Sequence, residues 1–305
     1  MIEFNKQQDI ISIIAPASAC KDESGKRDLT ASYANLNLIL SLFKQEGFNC
    51  QYDNQIFSGQ TLEYFSATKS ERLRQLKQAI EDPKVKIIST LRGGYGCSEI
   101  VFDCLPIKPS TPKILIGFSD ITALHFLFNQ HYNLPSIHGL VNQTYQHMLP
   151  NIISLLSGNT NSFQLFPVNY QSNHLQNTIS GIVTGGNLSI ICNMIGTKLH
   201  PDTKNKILII EDVNEAGYKI HRNLLHMYNA GLFKNAEAVI FADFIKSDQF
   251  LDTSISHFID NYLHSIPTFT VSNIGHGNIN YPFILGARGV ISNTELVIDN
   301  HLKLV

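Results

Sequence analysis

The chain has 305 residues, with 23 Lys and Arg against 25 Asp and Glu for a formal net charge of −2, and 43% of its side chains are hydrophobic. This supplies apolar material for one large or two ordinary cores and excludes a disordered composition. Binding to nucleic acid or to an anionic membrane needs clustered Lys and Arg, and the sequence has no such cluster. We therefore predict a globular protein that binds neither nucleic acid nor membrane.

Compartment is predicted from the absence of export signals. No apolar run approaches the roughly 18 residues that a membrane-spanning helix needs, and Met1–Lys6 lacks the basic and apolar segments of a secretory signal. The five cysteines are scattered and form no C-x-x-C pair, so neither a disulfide scaffold nor a zinc ribbon is expected. We predict a cytoplasmic protein.

The first 160 residues alternate between short β-branched runs and segments of helical spacing. The predicted elements are a strand at Ile10–Ile14, a helix over 32–46 that ends at Gly47, a helix behind the capping box Thr68-x-x-Glu71, strands at Val85–Thr90 and Lys113–Gly117, and a helix over 121–129. This alternation is typical of parallel β-α-β units. We predict an α/β domain with a parallel sheet over residues 1–160.

Residues 161–178 are rich in Asn, Gln and Ser and are predicted to link two domains. Beyond them the alternation resumes in a smaller mixed α/β domain over 179–305. Its predicted elements are a strand near 181–184, a helix at Leu188–Ile195, a strand at Ile207–Ile210, a helix near 220–230 closed by Gly231, a strand at Ala238–Ala242 and short strands around turns at Ser292-Asn293 and Asp299-Asn300.

A serine stands where a buried strand meets a helix. Ser119 follows Lys113–Gly117, and parallel sheets bind ligands beyond the carboxyl ends of their strands. A serine there can be a nucleophile, with helix N–H groups facing a developing oxyanion. The alternative is a helix N-cap, which serine often fills. The usual G-x-S-x-G elbow also has a second glycine where this chain has Ile121, so both interpretations stay open.

A glycine-rich segment, Leu91–Gly96, follows the predicted strand Val85–Thr90. Three glycines in four positions let the backbone approach a ligand and direct N–H groups toward it, as in an oxyanion hole or a phosphate cradle. The segment matches neither G-x-G-x-x-G nor a P-loop. A plain glycine-rich turn is the alternative.

A carboxylate and a histidine are the further candidates for catalysis. Glu211 follows an apolar strand directly, so it is the carboxylate expected to be partly buried, and a histidine would be a suitable partner. His276 lies between two glycines that clear space for a substrate, whereas His125 is a rival base on the helix after Ser119. The order Ser119, Glu211, His276 matches that of hydrolases built on α/β sheets. No metal-ligand spacing is present, and no metal site or cofactor is predicted.

Together these segments resemble the LD-carboxypeptidases, serine peptidases that include muramoyltetrapeptide carboxypeptidase and the microcin C immunity peptidases. The resemblance covers nearly the whole chain. It rests on motifs in matching order: Arg92-Gly-Gly-Tyr-Gly96, Gly117-Phe-Ser-Asp-Ile-Thr-Ala-Leu124, Gly185-Gly-Asn-Leu188, Ile210-Glu-Asp-Val-Asn-Glu215 and Gly275-His-Gly277.

The resemblance implies a role for each motif. Ser119 would be the nucleophile of a Rossmann-like N-terminal domain, and Glu211 and His276 the acid and the base of the C-terminal domain, with the active site in the cleft between the domains. The backbone N–H groups of Gly94 and Asp120 would form the oxyanion hole. Family members are commonly homodimers.

The activity implied is hydrolysis of the L,D-peptide bond that releases the terminal D-Ala of a murein tetrapeptide during cell-wall recycling. Arg92, Asn187, Tyr218 and Arg222 are candidate substrate contacts, each with a structural role as its alternative. An immunity-type peptidase would instead cleave peptidyl or aminoacyl nucleotides. That branch stacks the nucleobase on tryptophan, and this chain has none, which favours the murein peptide. A binding module without catalysis is the remaining alternative.

Overall fold

The computed structural model describes residues 2–59, 61–169 and 178–305. The chain forms two compact units, unit 1 (Met1–Asn159 with His301–Val305) and unit 2 (Thr160–Asn300). Residues 170–177 of the expected linker lie outside the described residues. The last five residues, expected in the second domain, belong to unit 1.

The elements of unit 1 alternate along the chain as predicted. Its strands are β1 (Ile2–Phe4), β2 (Ile10–Ile14), β3 (Asn49–Tyr52), β4 (Val85–Thr90), β5 (Ile114–Gly117), β6 (Ser136–His138) and β16 (Leu302–Leu304). Its helices are α1 (Leu29–Gln45), α2 (Lys69–Glu81), α3 (Cys97–Ile100), α4 (Thr122–Phe126), which continues as a π-helical turn over Leu127–His131, and α5 (Leu149–Leu156).

The main sheet of unit 1 has the parallel order β6-β5-β4-β2-β3. From β2 the chain moves outward to β3 and then returns to β4 on the other side of β2, so the direction of winding reverses between β2 and β4. Ligands of such sheets bind beyond the carboxyl ends of the strands at this point. The glycine-rich segment follows β4, and Ser119 follows the next strand, β5.

Local capping explains where the helices of unit 1 begin and end. The Thr68 hydroxyl accepts a hydrogen bond from the N–H of Glu71 at 3.3 Å, as the capping box predicts. Helix α1 begins before residue 32 because the Asp28 side chain accepts from the N–H of Ala31 at 2.9 Å. It ends before Gly47, whose φ of +85° is the left-handed conformation of a helix-ending glycine.

The elements of unit 2 follow the same alternation with antiparallel additions. Its strands are β7 (Asn161–Gln164), β8 (Phe166–Pro167), β9 (Ile179–Asn187), β10 (Lys206–Val213), β11 (Ala238–Ile245), β12 (Thr268–Thr270), β13 (Phe283–Leu285), β14 (Arg288–Ser292) and β15 (Glu295–Ile298). Its helices are α6 (Leu188–Met194), α7 (Gly217–Asn229) and α8 (Leu251–Tyr262).

The sheet of unit 2 has the order β7-β15-β14-β9-β10-β11-β12-β8. Strands β9 to β12 are parallel, and the strands outside them pair antiparallel. The structure differs from the expected linker at residues 161–167, which form β7 and β8. Both are short strands at the edges of the sheet, where polar sequence is normal because one flank faces solvent.

Both units have a mixed α/β architecture with parallel strands in their sheets, the class that the sequence predicts. Among the helices of the described ranges, none is both long and apolar enough to cross a bilayer.

Candidate active site

Ser119 adopts a backbone conformation that is rare for serine. Its φ is +63°, and it opens a tight 3-10 turn, Ser119–Ile121, just after β5. A left-handed residue other than glycine costs roughly 1–2 kcal/mol, so the surrounding fold must hold it there. The N-cap alternative does not apply, because α4 begins at Thr122 and its N-cap position is Ile121, without a side-chain cap bond. The half-exposed side chain thus stands on a sharp strand-to-helix turn, the backbone form of a nucleophile elbow.

The glycines of the segment after β4 are needed for close approach. A Cβ at Gly93 would lie 2.7 Å from Cβ of Ser119, and one at Gly94, where φ is +112°, would lie 2.5 Å from Cβ of Ser18. The N–H of Ser18 donates to the carbonyl of Gly93 at 3.3 Å, and its hydroxyl accepts from the N–H of Tyr95 at 3.0 Å. The backbone of this segment is therefore fixed beside Ser119.

The buried carboxylate of Asp120 and the buried guanidinium of Arg72 both bond to the backbone at the end of the glycine-rich segment. Asp120 accepts from the N–H of Cys97 at 2.8 Å, and burial raises the pKa of Asp120. Arg72, from α2, is fully buried and donates from Nη1 to the carbonyls of Pro16 at 3.0 Å and Gly96 at 2.8 Å. Backbone amides held rigidly beside a nucleophile can stabilise an oxyanion without reorganising during the reaction.

His125 is unsuited to the role of general base. Its Nε2–H donates to the carbonyl of Gly117 at 2.9 Å, and its Nδ1 accepts from the hydroxyl of Ser136 at 2.8 Å. Burial, together with the nearby His138, lowers its pKa from 6.5 to about 3. Both ring nitrogens are occupied, so His125 supports the strand that leads to Ser119.

Glu211 and His276 form the polar pair of unit 2. Glu211, at the end of β10, is 1% exposed, and its Oε2 lies 2.6 Å from Nδ1 of His276. Burial opposes the charged form of His276, but the charge and the hydrogen bond of Glu211 outweigh it and raise the pKa of the imidazole above its usual 6.5. With Nδ1–H bound to a carboxylate, Nε2 is the nitrogen that can accept a proton.

A glycine makes the contact between the two residues possible. Gly275 has a φ of +122°, and a Cβ there would lie 2.9 Å from Oε2 of Glu211. Any side chain at this position would therefore compete with the imidazole of His276 for the carboxylate.

Two of the predicted substrate contacts bond mainly within the protein. Asn187 is buried, caps α6 by accepting from the N–H of Ile190 at 3.2 Å, and donates to Asp212 at 2.8 Å. This is the turn role that the sequence left open. Arg92, in the glycine-rich segment, is half-buried and donates from Nη1 to the carbonyl of Ala19 at 2.7 Å.

Tyr218 and Arg222 lie together on α7. The ring of Tyr218 is 63% exposed, and the guanidinium of Arg222 lies 5.8 Å from its centroid. Tyr218 also lines a cavity of about 430 Å³ with residues of α8, among them His257. The pair can contact a ligand that lies on α7.

Comparison with known proteins identifies the family. Residues 11–139 match the LD-carboxypeptidase N-terminal domain, and residues 180–291 match the LD-carboxypeptidase C-terminal domain. The chain belongs to the LD-carboxypeptidase family. It is 29% identical over 254 residues to the murein tetrapeptide carboxypeptidase of Pseudomonas aeruginosa, an alignment that spans 76% of this chain and 81% of that protein.

Two solved structures share the fold. The muramoyltetrapeptide carboxypeptidase of Oxalobacter formigenes superposes with a TM-score of 0.76 at 23% identity, over 95% of this chain and 98% of that one. The microcin C7 self-immunity protein superposes with a TM-score of 0.75 at 18% identity, over 97% of each chain.

Sequence reasoning missed two residues that shape the loop of His276 in this member of the LD-carboxypeptidase family. Asp243 accepts from the N–H of Asn273 at 3.2 Å, and Asn280, buried, accepts from the N–H of Gly275 at 3.0 Å. Asp243 directly follows the predicted strand Ala238–Ala242, so the rule applied to Glu211 would also have found it. Asn280 carries no comparable signal, because it lies in a loop with many polar residues.

Proposed function

We propose that this protein is a serine carboxypeptidase that hydrolyses an L,D-peptide bond and releases the terminal D-Ala of murein tetrapeptides. The observation that carries the proposal is the 2.6 Å contact of the buried Glu211 with His276, the arrangement of a general base held by a carboxylate. The conformation of Ser119 supports its role as the nucleophile. The relative from Pseudomonas aeruginosa, named a murein tetrapeptide carboxypeptidase, supports the substrate class.

The reaction follows from these groups. Nε2 of His276 takes the proton of the Ser119 hydroxyl as Oγ attacks the carbonyl carbon of the scissile bond. The N–H groups of Gly94 and Asp120 donate to the oxyanion, a contribution of about 3 kcal/mol per donor in comparable sites. The tetrahedral intermediate collapses when His276 returns the proton to the nitrogen of D-Ala, which leaves as the free amino acid. Water, deprotonated by His276, then attacks the carbonyl carbon of the acyl-serine. The bond to Oγ breaks as His276 returns the proton to Ser119, and the shortened peptide leaves with a new carboxylate.

Glu211 has a supporting role in both steps. Its carboxylate accepts the Nδ1–H of His276, which fixes the tautomer in which Nε2 carries no proton and stabilises the imidazolium that forms when the proton arrives. The proposal requires the hydroxyl of Ser119 and Nε2 of His276 to meet on the substrate.

A carboxypeptidase also needs a group that meets the terminal carboxylate. We propose Arg92, because it lies in the glycine-rich segment directly before Gly93 and commits Nη1 to a carbonyl, while a guanidinium has five N–H donors. Arg222 is the second candidate, and its guanidinium lies 5.8 Å from the ring centroid of the exposed Tyr218.

The test is release of D-Ala from purified murein tetrapeptide, followed by mass spectrometry. We expect Ser119→Ala and His276→Ala each to lower kcat by about a thousandfold or more, as removal of triad members does elsewhere. Ser110→Ala and His264→Ala, which change exposed residues of the same types, serve as matched controls and keep wild-type turnover. Undiminished release by a folded Ser119→Ala variant would reject the nucleophile.

Competition between substrates separates the remaining alternatives. The self-immunity protein that shares the fold has been solved with glutamyl sulfamoyl guanosine, a nucleoside conjugate. We expect the tetrapeptide to be hydrolysed in preference to an aminoacyl nucleotide, and the reverse order would transfer the proposal to that substrate class. Binding of the tetrapeptide without release of D-Ala would indicate a binding module.

A further inference from the structure

The carboxylate of Asp212, the residue after Glu211, is buried and accepts four hydrogen bonds. Asp212 is 3% exposed. Its Oδ1 accepts from Nδ2 of Asn187 and from the N–H of Val213, both at 2.8 Å. Its Oδ2 accepts from the N–H of Ser189 at 3.1 Å and from the Ser189 hydroxyl at 2.7 Å. Asn187 and Ser189 stand at the start of α6, so three of these bonds connect the end of β10 to that helix.

These bonds determine which way the end of β10 faces. Successive side chains of a strand point to opposite faces, so a strand that directs Asp212 toward α6 directs Glu211 away from it, toward His276. On one flank Glu211 pairs in register with Asn187 of β9. On the other flank the register with β11 shifts between Ile210 and Asp212, so regular pairing on that side is interrupted at Glu211 before it resumes at Asp212. The bonds of Asp212 replace part of the constraint that regular pairing would give.

Asp212 also contributes charge. Donors surround both of its oxygens, which is the environment of an ionised carboxylate, although burial raises its pKa. The groups that act on His276 are Glu211 in direct contact, Asp212 behind it and Lys246 with the opposite sign. Asp243 also lies beside the His276 loop, through its bond to Asn273.

We propose that Asp212 is a positioning residue for the pair of Glu211 and His276. It anchors the end of β10 to α6 so that Glu211 faces the imidazole, and its negative charge stabilises the protonated imidazole. The inference rests on the proposed function, in which His276 is the general base. It differs from that proposal because Asp212 itself touches neither the substrate nor the reacting atoms.

The charge is tested without any substrate. The imidazole of His276 is titrated by NMR in the free protein, and its signal is assigned from its loss in His276→Gln. In Asp212→Asn we expect His276 to titrate at lower pH than in the wild type, because a negative charge that raises its pKa is gone. Asp260→Asn, which removes the same charge from an exposed position of α8, leaves the titration unchanged. Identical titration curves for Asp212→Asn and the wild type would overturn the role of the charge.

The anchoring is tested with the charge kept. Ser189→Ala removes the 2.7 Å hydroxyl bond but leaves the carboxylate and the backbone donor in place. We expect kcat for D-Ala release to fall about tenfold with KM unchanged, because loss of one charge-assisted bond loosens Glu211 without touching the substrate. Ser265→Ala, at an exposed position, keeps the wild-type kcat. A wild-type kcat in Ser189→Ala would overturn the anchoring role.

The two arms also protect the test against misfolding and against failure of the proposed function. If Asp212→Asn does not fold, Ser189→Ala still tests the anchor. Asp212→Glu keeps the charge on a longer side chain, and we expect His276 to titrate in it as in the wild type. If the wild type releases no D-Ala, the proposed function fails, whereas the titration of His276 still decides whether Asp212 acts on the imidazole.

Discussion

At the scale of single residues, close approach makes glycine necessary next to the polar pair. Gly275 combines a φ of +122° with a position where a Cβ would lie 2.9 Å from Oε2 of Glu211. The carboxylate and the imidazole meet because the backbone between Ile274 and His276 carries no side chain. The absence of a Cβ at residue 275 therefore permits both the left-handed backbone conformation and the contact between Glu211 and His276.

Gly275→Ala separates these two effects when it is compared with Gly196→Ala. Gly196 also has a left-handed φ, +79°, but a Cβ there meets nothing within 4 Å. Both variants should lose roughly 1 kcal/mol of unfolding free energy from backbone strain. Only Gly275→Ala should also lose kcat, by about tenfold or more, since the methyl group displaces Glu211. Urea unfolding and D-Ala release measure the two quantities, and equal kcat values in both variants would contradict the argument.

The family resemblance paired Glu211 with His276 as acid and base, and the structure shows that their side chains are in contact. Spacing along the chain could not predict this, because the contact joins the end of β10 to a loop 65 residues later. The rule that polar residues at strand ends face a ligand site identified Glu211 and would also have found Asp243. It could not identify Asn280 or the anchoring bonds of Asp212, which depend on how loops fold around the strand ends. The catalytic roles themselves stay predictions.

At the scale of elements, strong local signals define the boundaries. Strands β2 and β4 begin and end at the predicted residues, because their β-branched runs are bounded by turn residues. Helix α8 is not predicted, because it buries only Phe258 and Ile259 and the rest of its surface is polar or exposed. Strand β3 is also not predicted, because it lies at the edge of its sheet and has little apolar character. Elements whose stability comes from tertiary pairing leave weak patterns in a single sequence.

The capping box of α2 gives a prediction at this scale. Thr68→Ala removes the acceptor of the Glu71 N–H and should lower the free energy of unfolding by about 1 kcal/mol. Thr68→Ser keeps the hydroxyl and should stay close to the wild type. Urea denaturation followed by circular dichroism measures the difference. An equal loss in both variants would show that the methyl group of Thr68, and not its hydroxyl, stabilises the helix.

At the scale of the whole molecule, burial of a neutral histidine links stability to pH. The pKa of His125 is about 3 in the folded protein, below the 6.5 of an exposed imidazole. Below pH 6.5 the unfolded chain therefore binds a proton that the folded chain rejects. The stabilisation is complete above that pH and is lost as the pH falls toward 3.

We expect the free energy of unfolding to decrease by one to a few kcal/mol between about pH 7 and pH 5 because of His125. His125→Gln should be less stable at about pH 7 but should show a weaker dependence on pH. His264→Gln, at an exposed position, keeps the wild-type dependence. Because the chain has no tryptophan, far-ultraviolet circular dichroism is the suitable signal for unfolding. A wild-type slope in His125→Gln would show that other groups cause the dependence.

The parallel pairing of β1 with β16 makes unit 1 discontinuous along the chain, with unit 2 inserted into it. During synthesis the partner of β1 is translated only after unit 2, long after the sheet of β2 to β6. Until then β1 keeps an open edge to which a foreign strand can add. Nascent chains of this protein should accordingly depend on chaperone protection until β16 has been translated.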